Sequence, residues 1–119
     1  ISACLVGSEM CIRDRTHTVK TGSDCLYLYL KLLPSLKARV WIHSHDIALP
    51  EAMPREWQLD KQMFLTEQYL LYALLLENPR FEVVYGGSYH RLFNPEMFAE
   101  FIRPYGRPDQ GMSFWYRRC

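Results

Sequence analysis

Two imidazoles and a carboxylate fall within four residues in the stretch A-R-V-W-I-H-S-H-D-I-A-L-P (38–50), where Val40–Ile42 runs directly into His43, His45 and Asp46 and Pro50 closes the segment. The pattern is that of a buried strand whose carboxyl end opens onto a site, and in open α/β sheets the ligand crevice lies beyond those ends. Two positions apart on a strand, His43 and His45 project to one face, with Asp46 on the other unless the strand has already ended. Three kinds of chemistry are open to such a group. Imidazole and carboxylate could share a divalent metal. A histidine that titrates near neutral pH, oriented by a carboxylate, could be a general base. The histidines could equally be hydrogen-bonded at a strand end, with Asp46 capping a loop.

Other residues could join them. His17 stands in T-H-T-V-K-T-G-S-D (16–24), ahead of a helix. Glu67 lies in an otherwise apolar helical stretch, and a buried glutamate needs a partner. Trp57 and Tyr72 could stack on a ligand or pack in a core. His90 follows Gly86-Gly87-Ser88-Tyr89 and reads as a turn or loop residue. That Gly-Gly pair lacks the G-x-G-x-x-G context and carries no phosphate role.

The elements that must hold these residues alternate. Ser23 can cap a helix, with Asp24 in its first turn. Leu26, Tyr29, Leu30 and Leu33 then form one apolar face, and Pro34 and Ser35 end or kink the helix. A strand over Val40–Ser44 follows. Pro50, Pro54 and Trp57 mark an ordered loop. Asp60 is expected to cap a second helix over Lys61–Glu77, whose half Tyr69–Leu76 is apolar on every side and must be covered all round, in part by a partner subunit or an upstream half. A strand at Phe81–Tyr85, a helix at Pro95–Phe101, a Pro/Gly loop and a last strand at Met112–Arg117 complete an α/β pattern. Three strands are few for such a sheet, which reads as part of a larger one.

The chain has 119 residues, 49% of them hydrophobic, with a net charge of +1, the profile of one small globular domain. The arginines near the end (Arg103, Arg107, Arg117, Arg118) form no basic stripe, so nucleic acid is not an expected partner. No apolar run reaches the roughly 20 residues of a membrane span. Cys4, Cys11, Cys25 and Cys119 form no C-x-x-C pair, which fits reduced thiols in a cytoplasmic protein.

Ile1–Arg15 has neither helical nor strand periodicity. Its core, C-L-V-G-S-E-M-C-I-R-D-R, closely resembles a translated sequencing-adapter read-through that recurs at the edges of assembled gene fragments. Residues 1–15 are therefore set aside as a non-native segment, and 16–119 is expected to be a partial domain truncated upstream.

In this order, T-H-T-V-K-T-G-S-D (16–24), V-W-I-H-S-H-D-I-A-L-P (40–50), P-R-E-W (54–57), T-E-Q-Y-L-L-Y-A-L-L (66–75), N-P-R-F-E-V-V (78–84) and S-F-W-Y-R-R (113–118) resemble the C-terminal half of a class I S-adenosylmethionine-dependent methyltransferase of a small-molecule or sugar-modifying group. The resemblance implies the fifth to seventh strands of a Rossmann-like sheet with flanking helices, the seventh antiparallel to its neighbours. It implies methyl transfer from S-adenosylmethionine to a small-molecule acceptor. His17 matches a histidine that follows the acidic end of the fourth strand, and His45 and Asp46 match the H-D at the end of the fifth. These three would be catalytic, with His43, Trp57 and Glu67 around the acceptor. The resemblance also allows a magnesium ion at Asp46, and the apolar second helix allows a homodimer. The Gly-rich loop and the ribose-binding acid of the family are absent from this sequence, so the fragment alone is expected to be inactive. The alternatives are a metal-dependent hydrolase built on His43, His45 and Asp46, and a non-catalytic interaction domain.

Overall fold

The strand that ends in the histidines is the hub of the sheet. The computed structural model describes residues 17–106 and 109–119 in full, and Ala3–Val6 and Cys11–Ile12 by their backbone. The foreign character expected of residues 1–15 thus falls largely outside the described residues. The backbone segments that are described there, β1 (Ala3–Val6) and β2 (Cys11–Ile12), pair antiparallel with each other, and β1 pairs with the outer side of β3 (Trp41–Ser44). With β4 (Phe81–Gly86) and β5 (Phe114–Arg118) they form one sheet in the order β2-β1-β3-β5-β4.

β5 lies between β3 and β4 and is antiparallel to both, so β3 and β4 run the same way. Ile42 faces Tyr116 and His43 faces Trp115 across one ladder, and the other is shifted by a bulge between Val83 and Tyr85. The expected antiparallel last strand is therefore present, as is the coarse α/β class. The carboxyl ends of β3 and β4 and the start of β5 share one sheet edge.

Helices cover the sheet. α1 (Asp24–Tyr27) continues through a π-helical stretch, Leu28–Leu32, into α2 (Leu33–Ser35). Ser23 caps it as expected, accepting from the Leu26 amide. Pro34 has no amide to offer the carbonyl four residues back. Rather than ending the helix there, the chain widens it just before, and the Leu33 amide reaches back to Leu28. The buried face is Cys25, Leu28, Tyr29 and Leu33, and Leu30 points outward at 58% exposure. Both sets of positions are apolar at helical spacing, so the sequence pattern alone had two solutions.

The helix expected over Lys61–Glu77 is two separate pieces, α3 (Arg55–Leu59) and α4 (Glu67–Leu75). Asp60 ends α3 rather than capping α4. The first amides of α4 are taken instead by a distant backbone carbonyl, that of His17, which accepts from Thr66 and Glu67. Leu71 of α4 is buried, while Tyr69, Tyr72 and Leu76 are exposed. α5 (Gly87–Phe93) occupies the stretch expected to be a turn or loop, and His90 lies in it, bonded to the Tyr85 hydroxyl. α6 (Pro95–Ile102) follows. The core joins Tyr29, Leu33, Ile42, Ile47, Leu71, Phe81, Phe114 and Tyr116 between helices and sheet. Among the described residues no helix is long and apolar enough to cross a membrane.

Candidate functional site

β3 ends at Ser44, so His45 and Asp46 leave the sheet as soon as its edge is reached. Asp46 takes a left-handed backbone conformation (φ +57°) that few non-glycine residues adopt. The chain beyond is pinned twice. The Ile47 amide donates to the Met112 carbonyl, and the Ala48 amide donates to the Oε1 of buried Gln68. The turn carrying Asp46 is thus held by α4 on one side and by the approach to β5 on the other.

His17 enters from the segment before α1. It too has a left-handed backbone (φ +52°). Its carbonyl caps α4, and the neighbouring Val19 amide donates to Thr66 Oγ1 at 2.7 Å. These bonds lay residues 17–19 across the start of α4 and bring the ring over Glu67. His17 Nδ1 lies 2.5 Å from Glu67 Oε2, and the Tyr29 hydroxyl donates to Glu67 Oε1 at 2.7 Å. Glu67 is buried, with its carboxylate in the first turn of α4, where the helix dipole favours a negative charge. A carboxylate accepts only, so His17 carries its proton on Nδ1.

In the neutral ring the other nitrogen, Nε2, is a lone pair. It is buried and has no hydrogen-bond partner among the described residues. It faces Asp46 Oδ2 at 3.6 Å. His45 Nδ1 converges on the same oxygen at 3.2 Å. The two imidazoles meet edge to face with centroids 5.3 Å apart.

His45 is about 30% exposed at its side chain. Burial lowers its pKa below the usual histidine value against an opposing pull from Asp46, and nearby His17 lowers it further. Burial also lowers the pKa of His43, with a smaller contribution from His45. Both rings are thereby favoured in the neutral form.

His17, His45 and Asp46, the three expected catalytic residues, are thus brought together. A cleft of about 520 Å³ opens beside them, walled by His43, Trp57, Gln110 and Ser113. His43 keeps to the wall: its Nε2 bonds Ser113 Oγ at 2.8 Å and its ring stacks on Trp115. The ligand set His43, His45 and Asp46 considered from the sequence does not assemble, because His43 is still within the strand and His17 takes the third place. Trp57 lines the cleft as expected, and its indole N–H is buried without a partner among the described residues.

Glu67, expected beside the acceptor, lies instead behind His17, away from the cleft, with both oxygens engaged. Its burial follows from its place one residue into α4, on the side facing Tyr29. Tyr29 and Gln68 are site residues that the sequence reading did not assign. The signal for Tyr29 was the buried glutamate's need for a donor; Gln68 offered none beyond being polar in an apolar helix.

Magnesium prefers an octahedron of oxygens. Two imidazoles and one carboxylate do not fit it, and no step is derived through that ion. The Gly86-Gly87 pair serves packing: a Cβ on Gly87 would come within 2.4 Å of the Gly111 carbonyl oxygen. Comparison of the chain with protein-family models, with curated proteins and with solved structures finds no match to any of them.

Proposed function

We propose that residues 16–119 are the C-terminal part of a class I S-adenosylmethionine-dependent methyltransferase acting on a hydroxyl of a small molecule or sugar. The observation that carries this reading is topological: an antiparallel β5 sits between co-directional β3 and β4, and the His17–His45–Asp46 cluster stands at the carboxyl end of β3. That is the arrangement the family resemblance implies for the fifth, seventh and sixth strands and for the acceptor side of the site.

The cofactor would supply an electrophilic methyl group; its binding residues belong, on this reading, to sequence preceding residue 16. The present chain supplies the acceptor side. A hydroxyl in the cleft between Trp57 and His43 reaches His45, whose neutral ring takes its proton, and Asp46 stabilises the imidazolium that results. Glu67, itself held by Tyr29, fixes the orientation of His17 against the same carboxylate.

The test begins with the source DNA, read across the junction ahead of residue 16. The expected upstream sequence encodes a Gly-rich loop and an acidic strand end just before His17. The joined protein should transfer a labelled methyl group to hydroxyl acceptors, and His45→Ala in it should lower kcat/KM by about 100- to 10,000-fold, the usual range for a general base. Upstream DNA that encodes an unrelated domain, or a joined protein without affinity for S-adenosylmethionine, overturns the proposal.

A further inference from the structure

We propose that His17 Nε2, His45 and Asp46 form a three-ligand site for a first-row divalent cation of the zinc type, with Glu67 as the carboxylate that orients His17. This goes beyond the methyltransferase reading and does not depend on it; with a cation on Nδ1 the His45 ring bears its proton on Nε2, so the ion rather than His45 would activate a hydroxyl in the cleft.

Four observations converge. The first is the donor set: one ligand atom from each of the three residues lies within 4.8 Å of the others. Two imidazoles and a carboxylate are the donors that borderline first-row cations take, often leaving a further position open.

The second is spacing. Ligands about 2.1 Å from a tetrahedral ion stand about 3.4 Å from one another. Asp46 Oδ2 stands 3.6 Å from His17 Nε2 and 3.2 Å from His45 Nδ1. These two separations are within tenths of an ångström of that spacing, and the third, between the two imidazole nitrogens, is at most 4.8 Å, so a cation would draw the rings together by up to about an ångström.

The third is the orphaned nitrogen. His17 is 5% exposed, and its Nε2 lone pair points at a carboxylate oxygen with no hydrogen to share. A buried lone pair against the partly exposed Asp46 carboxylate is repulsive until something positive, a proton or a cation, lies between them.

The fourth is the support behind the ring. Histidines that ligate metals commonly donate their other ring N–H to a carboxylate, which fixes the tautomer and raises ligand basicity. Glu67 stands in that place, with Tyr29 locking its second oxygen. Both His17 and Asp46 are also held in left-handed backbone conformations, of the kind that recurs at ligand clamps. The open coordination position faces the cleft walled by His43 and Trp57, so a bound hydroxyl or water would meet the ion there.

The test is titration of the full 119-residue chain with Zn²⁺, with Co²⁺ as a spectroscopic probe, after its thiols have been alkylated so that Cys119 does not compete. The expected result is one Zn²⁺ per chain, Co²⁺ bands of a four- or five-coordinate site, and no displacement by excess Mg²⁺. Asp46→Asn and His45→Ala should each weaken Zn²⁺ binding about tenfold or more. Asparagine tolerates the left-handed backbone and both side chains are partly exposed, so these variants should retain the fold, checked by circular dichroism. His43→Ala and His90→Ala should leave the affinity unchanged. The proposal is overturned by Zn²⁺ affinity that survives Asp46→Asn, by a loss with His43→Ala as large as with His45→Ala, or by displacement with Mg²⁺. None of these readouts involves methyl transfer, so failure here and failure of the proposed activity are separate results.

Discussion

Replacing Glu67 by glutamine tests the geometry behind the cluster with a change of one atom. The carboxylate now accepts from two donors, His17 Nδ1 at 2.5 Å and the Tyr29 hydroxyl at 2.7 Å, and the residue is 1% exposed. In Glu67→Gln the amide oxygen can keep the tyrosine, but the amide nitrogen then meets an Nδ1 that also bears a hydrogen. Either His17 moves its proton to Nε2, or the amide flips so that its oxygen keeps Nδ1 and the Tyr29 hydroxyl turns from donor to acceptor. A hydrogen bond to a charged group, worth about 1.5–3 kcal/mol, gives way to a neutral one worth about 1, so the loss is about 0.5–2 kcal/mol. With a urea m-value of about 1–3 kcal/mol/M, the unfolding midpoint should fall by roughly 0.2–2 M.

Glu67→Ala should be harsher. It leaves both donors buried and unpaired at about 1–3 kcal/mol each, a large share of the 5–15 kcal/mol by which domains are usually stable. Urea unfolding followed by circular dichroism reads the stabilities, and nitrogen-15 spectra of the histidine rings read the tautomer. The glutamine variant should also lose Zn²⁺ affinity by about 10- to 100-fold, as changes behind a ligating histidine do. An unchanged midpoint with His17 still protonated on Nδ1 would refute the reasoning.

Other expected outcomes follow from the same packing. Gly87→Ala sets a methyl against the Gly111 backbone, which cannot swing aside as a side chain would; a loss of about 2 kcal/mol or more is expected in the same unfolding assay. Gln68→Leu strands the Ala48 amide that now donates to it at 2.9 Å and loosens the turn carrying Asp46; stability should fall by about 1–3 kcal/mol and Zn²⁺ affinity with it, whereas a purely structural Gln68 would leave the affinity intact. Ser23→Ala removes the cap of α1 and should cost about 1 kcal/mol, seen as a fall in Tm.

What could be read from the sequence divides along physical lines. The three strands expected announced themselves by short apolar runs, and the structure moves their ends by only a residue or two, with β3 beginning at Trp41 rather than Val40 and β5 spanning Phe114–Arg118 rather than Met112–Arg117, whereas β1 and β2 fall in a stretch read as having no strand period. His45 and Asp46 were legible because polar residues directly after a buried run must point somewhere other than the core. Their conjunction with His17 was not legible in spacing. It depends on a backbone carbonyl capping a helix 50 residues downstream, which no local pattern encodes. The same long-range cap moved the start of α4 from Asp60 to Glu67. α5 was hidden by its two glycines, which read as a turn but are needed for close backbone approach. Gln68 looked like an interruption of an apolar helix; its partners, Ala48 and Glu51, lie across the fold.

The place of β5 between β3 and β4 governs the order in which this sheet can be assembled. β3 and β4 touch each other nowhere in the ladder; β5, made after both, is the strand that joins them. During synthesis, therefore, β4 leaves the ribosome with no strand to pair with, and some 70 residues of chain separate β3 from its partner on this side, as the pairing of His43 with Trp115 illustrates. Closing loops of that length costs entropy before any contact repays it, which slows folding and prolongs the exposure of unpaired edges. Val83 and Val84 lie on such an edge, still 50% and 42% exposed in the finished fold. Nascent chains halted before Phe114 should accordingly be protease-sensitive and prone to aggregate, and protection should arrive in a single step once β5 clears the exit tunnel.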